Sequence, residues 1–128
     1  MAMSPIDFVK EAKQNISEID TDAAAEKLGN SIILDVREPG EFEQGHLPGA
    51  INVPRGVLEF AVSDHPVLAG TDKEIVAYCL AGGRGALATW NLSRMGYNVV
   101  NMLGGFEKWA AEGKETEAAT VYSFPPSE

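Results

Sequence analysis

Four short apolar runs, each bounded by turn residues, organise this chain. They are Ile32-Ile33-Leu34-Asp35-Val36, Ala50-Ile51-Asn52-Val53, Glu74-Ile75-Val76-Ala77-Tyr78 and Asn98-Val99-Val100-Asn101-Met102. Their brevity and β-branched content predict buried strands. Between the last two, Leu87, Ala88, Leu92 and Met95 recur on one face from Gly85 to Met95, and Gly96 stops the pattern, which predicts a helix. Strands alternating with helical stretches imply a central, mostly parallel sheet with helices on both faces, a three-layer α/β domain. In such sheets ligands sit at the carboxyl ends of the strands.

The flanks follow the same grammar. Ser4, Pro5 and Asp7 form a helix start, and Ile6, Val9, Ala12 and Ile16 share a face, so an N-terminal helix is expected over about 5–16. Ser17-Glu18-Ile19-Asp20 leads out of it into a short helix from Thr21 to Leu28, closed by Gly29. Gly104-Gly105 makes a tight turn before a last helix, Phe106 to Glu112. The one long connection, Arg55 to Gly70, has room for a short helix near Val57 to Ala61 and is of a length that often frames a site. From about 114 to 128 the chain turns polar and then irregular, which predicts a loosely docked tail. Residues 1–128 read as a single domain.

Composition narrows the chemistry. With 128 residues and 45% hydrophobic positions, the chain can build a core without staples. Nineteen acids against ten bases give a formal charge of -9, the wrong sign for holding phosphate backbones, so no nucleic-acid partner is expected. The polar start lacks a signal peptide's apolar run, and no stretch is long enough for a membrane span, which predicts a soluble cytoplasmic protein. One cysteine, Cys79, permits neither an internal disulfide nor a Cys-rich zinc site, and with only His46 and His65 beside it no metal site is expected. If Cys79 matters, it matters as a thiol.

Its setting favours that. Cys79 follows a strand and precedes Leu80, Ala81, Gly82, Gly83 and Arg84, after which the helix begins. Glycines let successive N–H groups turn inward, the helix N-terminus adds partial positive charge and Arg84 adds a full one, so negative charge at the sulfur is favoured. That enriches the thiolate, the reactive form. The plainer alternative is a buried, inert cysteine at a strand end.

Several segments in this order resemble a single-domain rhodanese, over about residues 18–112: Leu34-Asp35-Val36-Arg37-Glu38; Glu41-Phe42 leading into Gly45-His46-Leu47-Pro48-Gly49-Ala50-Ile51-Asn52-Val53-Pro54; Tyr78-Cys79 with the loop to Arg84; Met95-Gly96-Tyr97-Asn98-Val99; and Leu103-Gly104-Gly105-Phe106 with Trp109. The resemblance implies a rhodanese-like fold and a sulfurtransferase without a cofactor. Cys79 would take sulfur from thiosulfate or a persulfide donor, hold it as a persulfide on the loop of residues 80–84, and yield it to cyanide, a thiol or a protein acceptor. A non-turnover sulfur-relay or binding module acting on a protein partner is the alternative. A small phosphatase or arsenate reductase is a third reading, disfavoured because the related cell-cycle phosphatases carry five residues, not four, between cysteine and arginine.

Two departures matter. Where the family commonly has a hydroxyl or basic residue in the loop and Ser or Thr after the arginine, this chain has Leu80, Ala81 and Gly85, which predicts weak use of dianionic thiosulfate. The resemblance also places Arg37 near the pocket with Asp35 organising neighbouring loops; alternatively Arg37 pairs with Glu38 or Glu41 at the surface. Arg55, just past the second strand, is expected either at the pocket mouth as a second cation or in a surface pair with Glu59. His46 is expected to hydrogen-bond its own turn rather than act as a base, His65 to be exposed, and Trp90 and Trp109 to be packing residues.

Overall fold

The computed structural model describes residues 2–118. Its centre is a sheet of five parallel strands, β1 (Glu18–Ile19), β2 (Ile32–Asp35), β3 (Ile51–Asn52), β4 (Ile75–Tyr78) and β5 (Val99–Met102), in the order β1-β5-β4-β2-β3. Strands β2 and β4 are buried along their whole length and lie side by side, Leu34 opposite Ala77 and Asp35 opposite Tyr78.

Alternation along these strands divides the interior into two layers. Ile32, Leu34, Ile75, Ala77 and Val99 face one side, against Leu58 and Val62 of α4 (Leu58–Val62) and Ala88 and Leu92 of α5 (Gly83–Arg94). Ile33, Val76, Tyr78 and Met102 face the other, against Ala24 of α2 (Thr21–Glu26) and Trp109 of α6 (Gly105–Ala111). The three-layer α/β architecture expected from the apolar runs is therefore the one observed. Cys79 continues β4 on the α4–α5 side, so the strand's pleat sets the direction of its side chain.

Differences from the sequence reading have local causes. The first helix, α1 (Pro5–Lys13), keeps the Ser4 cap but stops before Ile16, because Asn15 turns back on it, its N–H donating to Ala12 O and its amide to Glu11 O. The chain then has to enter β1, an edge strand of two residues set by an N–H donated from Asn101 to Ser17 O. Helix α2 ends at Glu26, short of Leu28. Another helix, α3 (Pro39–Gln44), lies in the Glu38–Gln44 stretch, with Pro39 in its first turn and the Glu41 carboxylate accepting the Glu38 N–H. A short 3₁₀ turn, Arg55–Val57, precedes α4, and α5 starts at Gly83, two residues before the expected point. Of the segment 114–128, residues 119–128 lie outside the described part; Glu117 exchanges two backbone hydrogen bonds of 2.8 Å with His46.

Candidate active site

The loop between β4 and α5 is built by two sets of hydrogen bonds facing opposite ways. Its carbonyls turn outward: Cys79 O accepts the Phe106 N–H at 2.7 Å and Leu80 O accepts the Glu107 N–H at 2.9 Å, both from the first turn of α6, while Gly82 O accepts the Ala86 N–H. One N–H turns inward: that of Gly82 donates to Cys79 Sγ at 3.0 Å. The N–H groups of Gly83, Arg84 and Gly85, as the first turn of a helix, have no acceptor among the described residues. The sulfur thus accepts one backbone hydrogen bond and lies just before the positive end of a twelve-residue helix.

Two glycines make this possible. Gly82 has φ +122°, a conformation that turns its N–H onto the sulfur and that a side chain would strain. Gly105, at φ +61°, lies so close to the Cys79 and Leu80 carbonyls that a Cβ there would run into both. Gly85 is also crowded, since a Cβ would meet the Asn101 carboxamide oxygen and press on Cys79 N. A hydroxyl-bearing residue at this position would have to move Asn101.

Cys79 itself is buried, 1% exposed. Leu80 and Ala81 form the exposed lip of the loop, and Gly82 its buried floor.

Arg84 anchors the loop to α3. Its guanidinium closes on Glu41 in a two-pronged pair, Nη1 to Oε1 at 2.9 Å and Nη2 to Oε2 at 3.1 Å. This pair, with the Glu38 N–H, outweighs partial burial and holds the Glu41 carboxyl down at about 2, while Arg84 is raised above its ordinary value by the same partner. Arg84 thus adds its charge to the neighbourhood of the sulfur already half neutralised. Glu41, expected at most to pair with Arg37, is the Arg84 partner that sequence reasoning did not find; its spacing from Glu38 signals a helix cap, but nothing along the chain signals a pairing across 43 residues.

The other two arginines are each held by a carboxylate close to them in sequence. Arg37 pairs with neither Glu38 nor Glu41 and is not at the surface: it is 3% exposed, donates from Nε and Nη2 to the Asp35 carboxylate, from Nη2 to Gly45 O at 2.6 Å, and lies on the Phe106 ring at 4.4 Å. Burial opposes its charge, but Asp35 outweighs burial and the guanidinium is raised. Asp35, fully buried, also accepts the Arg37 N–H, so the two hold the end of β2, the Gly45 turn and the start of α6 together. Beside them, burial followed by the Asp35 charge pushes the Tyr78 phenol up, keeping it neutral to accept the Leu47 N–H. Arg55 pairs with Glu59 at 2.9 Å and lines a cavity along α5 whose wall does not include Cys79.

His46 stacks on Phe42 at 3.7 Å and contacts Phe42 O through Nδ1 at 2.7 Å, tying its own turn. His65, expected to be merely exposed, is half-buried and accepts the Val67 and Leu68 N–H groups. Trp109 is buried, with Nε1 donating to Glu115 O, and Trp90 lines the same cavity as Arg55. Among the described residues no three His, Cys, Asp or Glu side chains gather as metal ligands, and no helix is long and apolar enough to cross a membrane.

A parallel sheet with a cysteine in a glycine-rich loop between a strand and a helix N-terminus defines a class of α/β domains. Within it, the family model for the rhodanese-like domain matches residues 9–112, and the chain belongs to that family. It is 31% identical over 102 residues to a sulfurtransferase of Allochromatium vinosum, covering 77% of this chain and 92% of that one. It is 40% identical over 97 residues to thiosulfate sulfurtransferase 16, chloroplastic, of Arabidopsis thaliana, covering 66% and 78%. Among solved structures, a Rhodopseudomonas palustris protein described as a possible tyrosine phosphatase superposes with a TM-score of 0.81 at 30% identity, covering 91% of this chain and 96% of that one.

Proposed function

We propose that the chain is a sulfurtransferase in which Cys79 carries sulfane sulfur as a persulfide. The observation that supports this most is the Gly82 N–H bonded to Cys79 Sγ just before the α5 N-terminus, whose first-turn N–H groups have no acceptor among the described residues, a setting that suits sulfur-borne negative charge. In the first step the Cys79 thiolate attacks the outer sulfur of a donor. For thiosulfate, a sulfur–sulfur bond forms at Cys79 and the donor's own breaks, sulfite leaving with the electron pair. In the second, cyanide or a thiolate attacks the outer sulfur of the persulfide, the new bond gives thiocyanate or an acceptor persulfide, and the Cys79 thiolate is restored. Throughout, the Gly82 N–H stays on the sulfur, and the positive end of α5 lies next to it.

The donor follows from what the loop lacks. Ala81 and Gly85 offer no hydroxyl, and Arg84 is held by Glu41, so a dianion gains little beyond the backbone donors. Singly charged persulfide donors are therefore preferred to thiosulfate. The same pairing disfavours phosphate-ester chemistry, in which the loop arginine has to grip the phosphoryl oxygens. A reducing compartment suits a lone thiol of this kind.

Intact mass after exposure to thiosulfate, and separately to a persulfide donor, tests the proposal. The expected result is a gain of one sulfur atom, faster with the persulfide, reversed by cyanide and absent in Cys79→Ser. Loading without turnover by small thiols would favour relay to a protein acceptor. No loading by either donor, or hydrolysis of an aryl phosphate that disappears in Cys79→Ser, would overturn it.

A further inference from the structure

Away from the Cys79 loop, a cavity of about 410 Å³ opens between α1, the Arg55–Val57 turn and the outer face of α5. Its size falls within the range of small-molecule pockets. Met3, Pro5, Phe8, Leu87 and Trp90 supply an apolar wall, and Phe8 and Met3 remain about half exposed among the described residues. Its polar groups are Arg55, Arg94 and Asn91. Two positive charges line this wall in a chain of net charge -9, and Glu59, bonded to Arg55 Nη1 and to the Asn91 amide, is the one carboxylate bonded to it.

Two features point to what fits. The Arg55 Nε–H has no acceptor among the described residues, so pairing with Glu59 through Nη1 leaves that donor for an oxyanion once the side chain turns toward the cavity. Arg94, exposed and bonded to Asn91 Oδ1, lies over the Trp90 ring at 4.0 Å, which sets its charge at the rim of the apolar wall. A polyanion would meet Glu59 and the chain's overall charge, and a neutral apolar molecule would leave the Arg55 donor unsatisfied.

We infer that this cavity binds an amphipathic monoanion, an aliphatic or aromatic body carrying one carboxylate or sulfonate, with the body on Trp90, Leu87 and Phe8 and the head at Arg55 and Arg94. The site is separate from the sulfur chemistry, because Cys79 is not part of its wall.

Titration of the full chain with anilinonaphthalene sulfonate, followed by its fluorescence and by quenching of Trp90, tests this; Trp109, the other tryptophan, is buried in the opposite layer. The expected result is saturable one-to-one binding, displaced by decanoate at least about tenfold better than by decanol and weakened about tenfold in Arg55→Gln. A cavity-filling Leu87→Trp, with unchanged circular dichroism, should lose binding, whereas Cys79→Ser should bind as the native chain does. Absence of saturable binding, equal displacement by decanol, or native-like binding by both folded cavity variants would overturn the inference. Sulfur loading on Cys79 is measured separately, so failure of one leaves the other standing.

Discussion

Replacing Glu41 by Gln should uncouple the active-site loop from α3. The native carboxylate takes both prongs of Arg84 and the N–H of Glu38, whereas Gln keeps one acceptor and no charge. Taking the carboxyl from 4.5 to about 2 would be worth roughly 3 kcal/mol at neutral pH if unscreened. With 38% of the Arg84 side chain and 32% of the Glu41 side chain in solvent, much of that is lost to screening, and about 1–2 kcal/mol is expected from the forked geometry. Because the folded carboxyl lies below its unfolded value, this stability is complete above about pH 4.5 and disappears as pH falls through about 2. Urea unfolding of both proteins at low salt is the assay. The gap between native and Glu41→Gln should be widest at pH 7 and shrink to less than roughly half by pH 3. A gap below about 0.3 kcal/mol at pH 7, smaller than measured exposed pairs generally show, or one that does not shrink on acidification, would refute the assignment of Arg84 as a tether.

Other substitutions probe the remaining supports. Gly105→Ala drives a Cβ into the Cys79 and Leu80 carbonyls at a positive φ, and should cost about 3 kcal/mol by urea unfolding and slow sulfur loading; native-like loading would show that the loop does not lean on α6. Asp35→Asn strands the buried Arg37 charge, for an expected loss of about 3–5 kcal/mol, while the double change with Arg37→Met should recover much of it by the same measurement. Tyr78→Phe removes the acceptor of the Leu47 N–H and should lower stability by about 1–2 kcal/mol while leaving sulfur loading intact.

The layers of the fold were legible because burial writes itself into the strands. Ile32-Ile33-Leu34 and Ile75-Val76-Ala77 are apolar at every position since both faces of the sheet are covered, and Ala88 and Leu92 mark the face of α5 packed on it, while Leu87 of the same apolar pattern lines the cavity instead. The elements that escaped are those held by distant partners. Strand β1 is two residues, Glu18 and Ile19, and exists because β5 offers a free edge. Helix α3 has an acidic cap and only six residues, too short for periodicity to show.

The site was legible in its backbone and opaque in its charges. Cys79 with Gly82 and a following helix announces a sulfur that takes a backbone N–H beside a helix N-terminus, because that geometry depends on residues adjacent in the chain. Along the sequence Arg37, Arg55 and Arg84 are three similar cations near strand ends, each able to face a pocket. Folding separates them by what each meets: Arg37 a buried carboxylate two residues away, Arg84 a carboxylate 43 residues away, and Arg55 a carboxylate one helical turn on with one donor left over. A guanidinium can serve a dianionic substrate only with donors it has not already given away. The missing hydroxyls at Ala81 and Gly85 could be read along the chain and already argued against a dianionic donor, whereas the pairing of Arg84 with Glu41, which adds to that argument, appears only once the chain is folded.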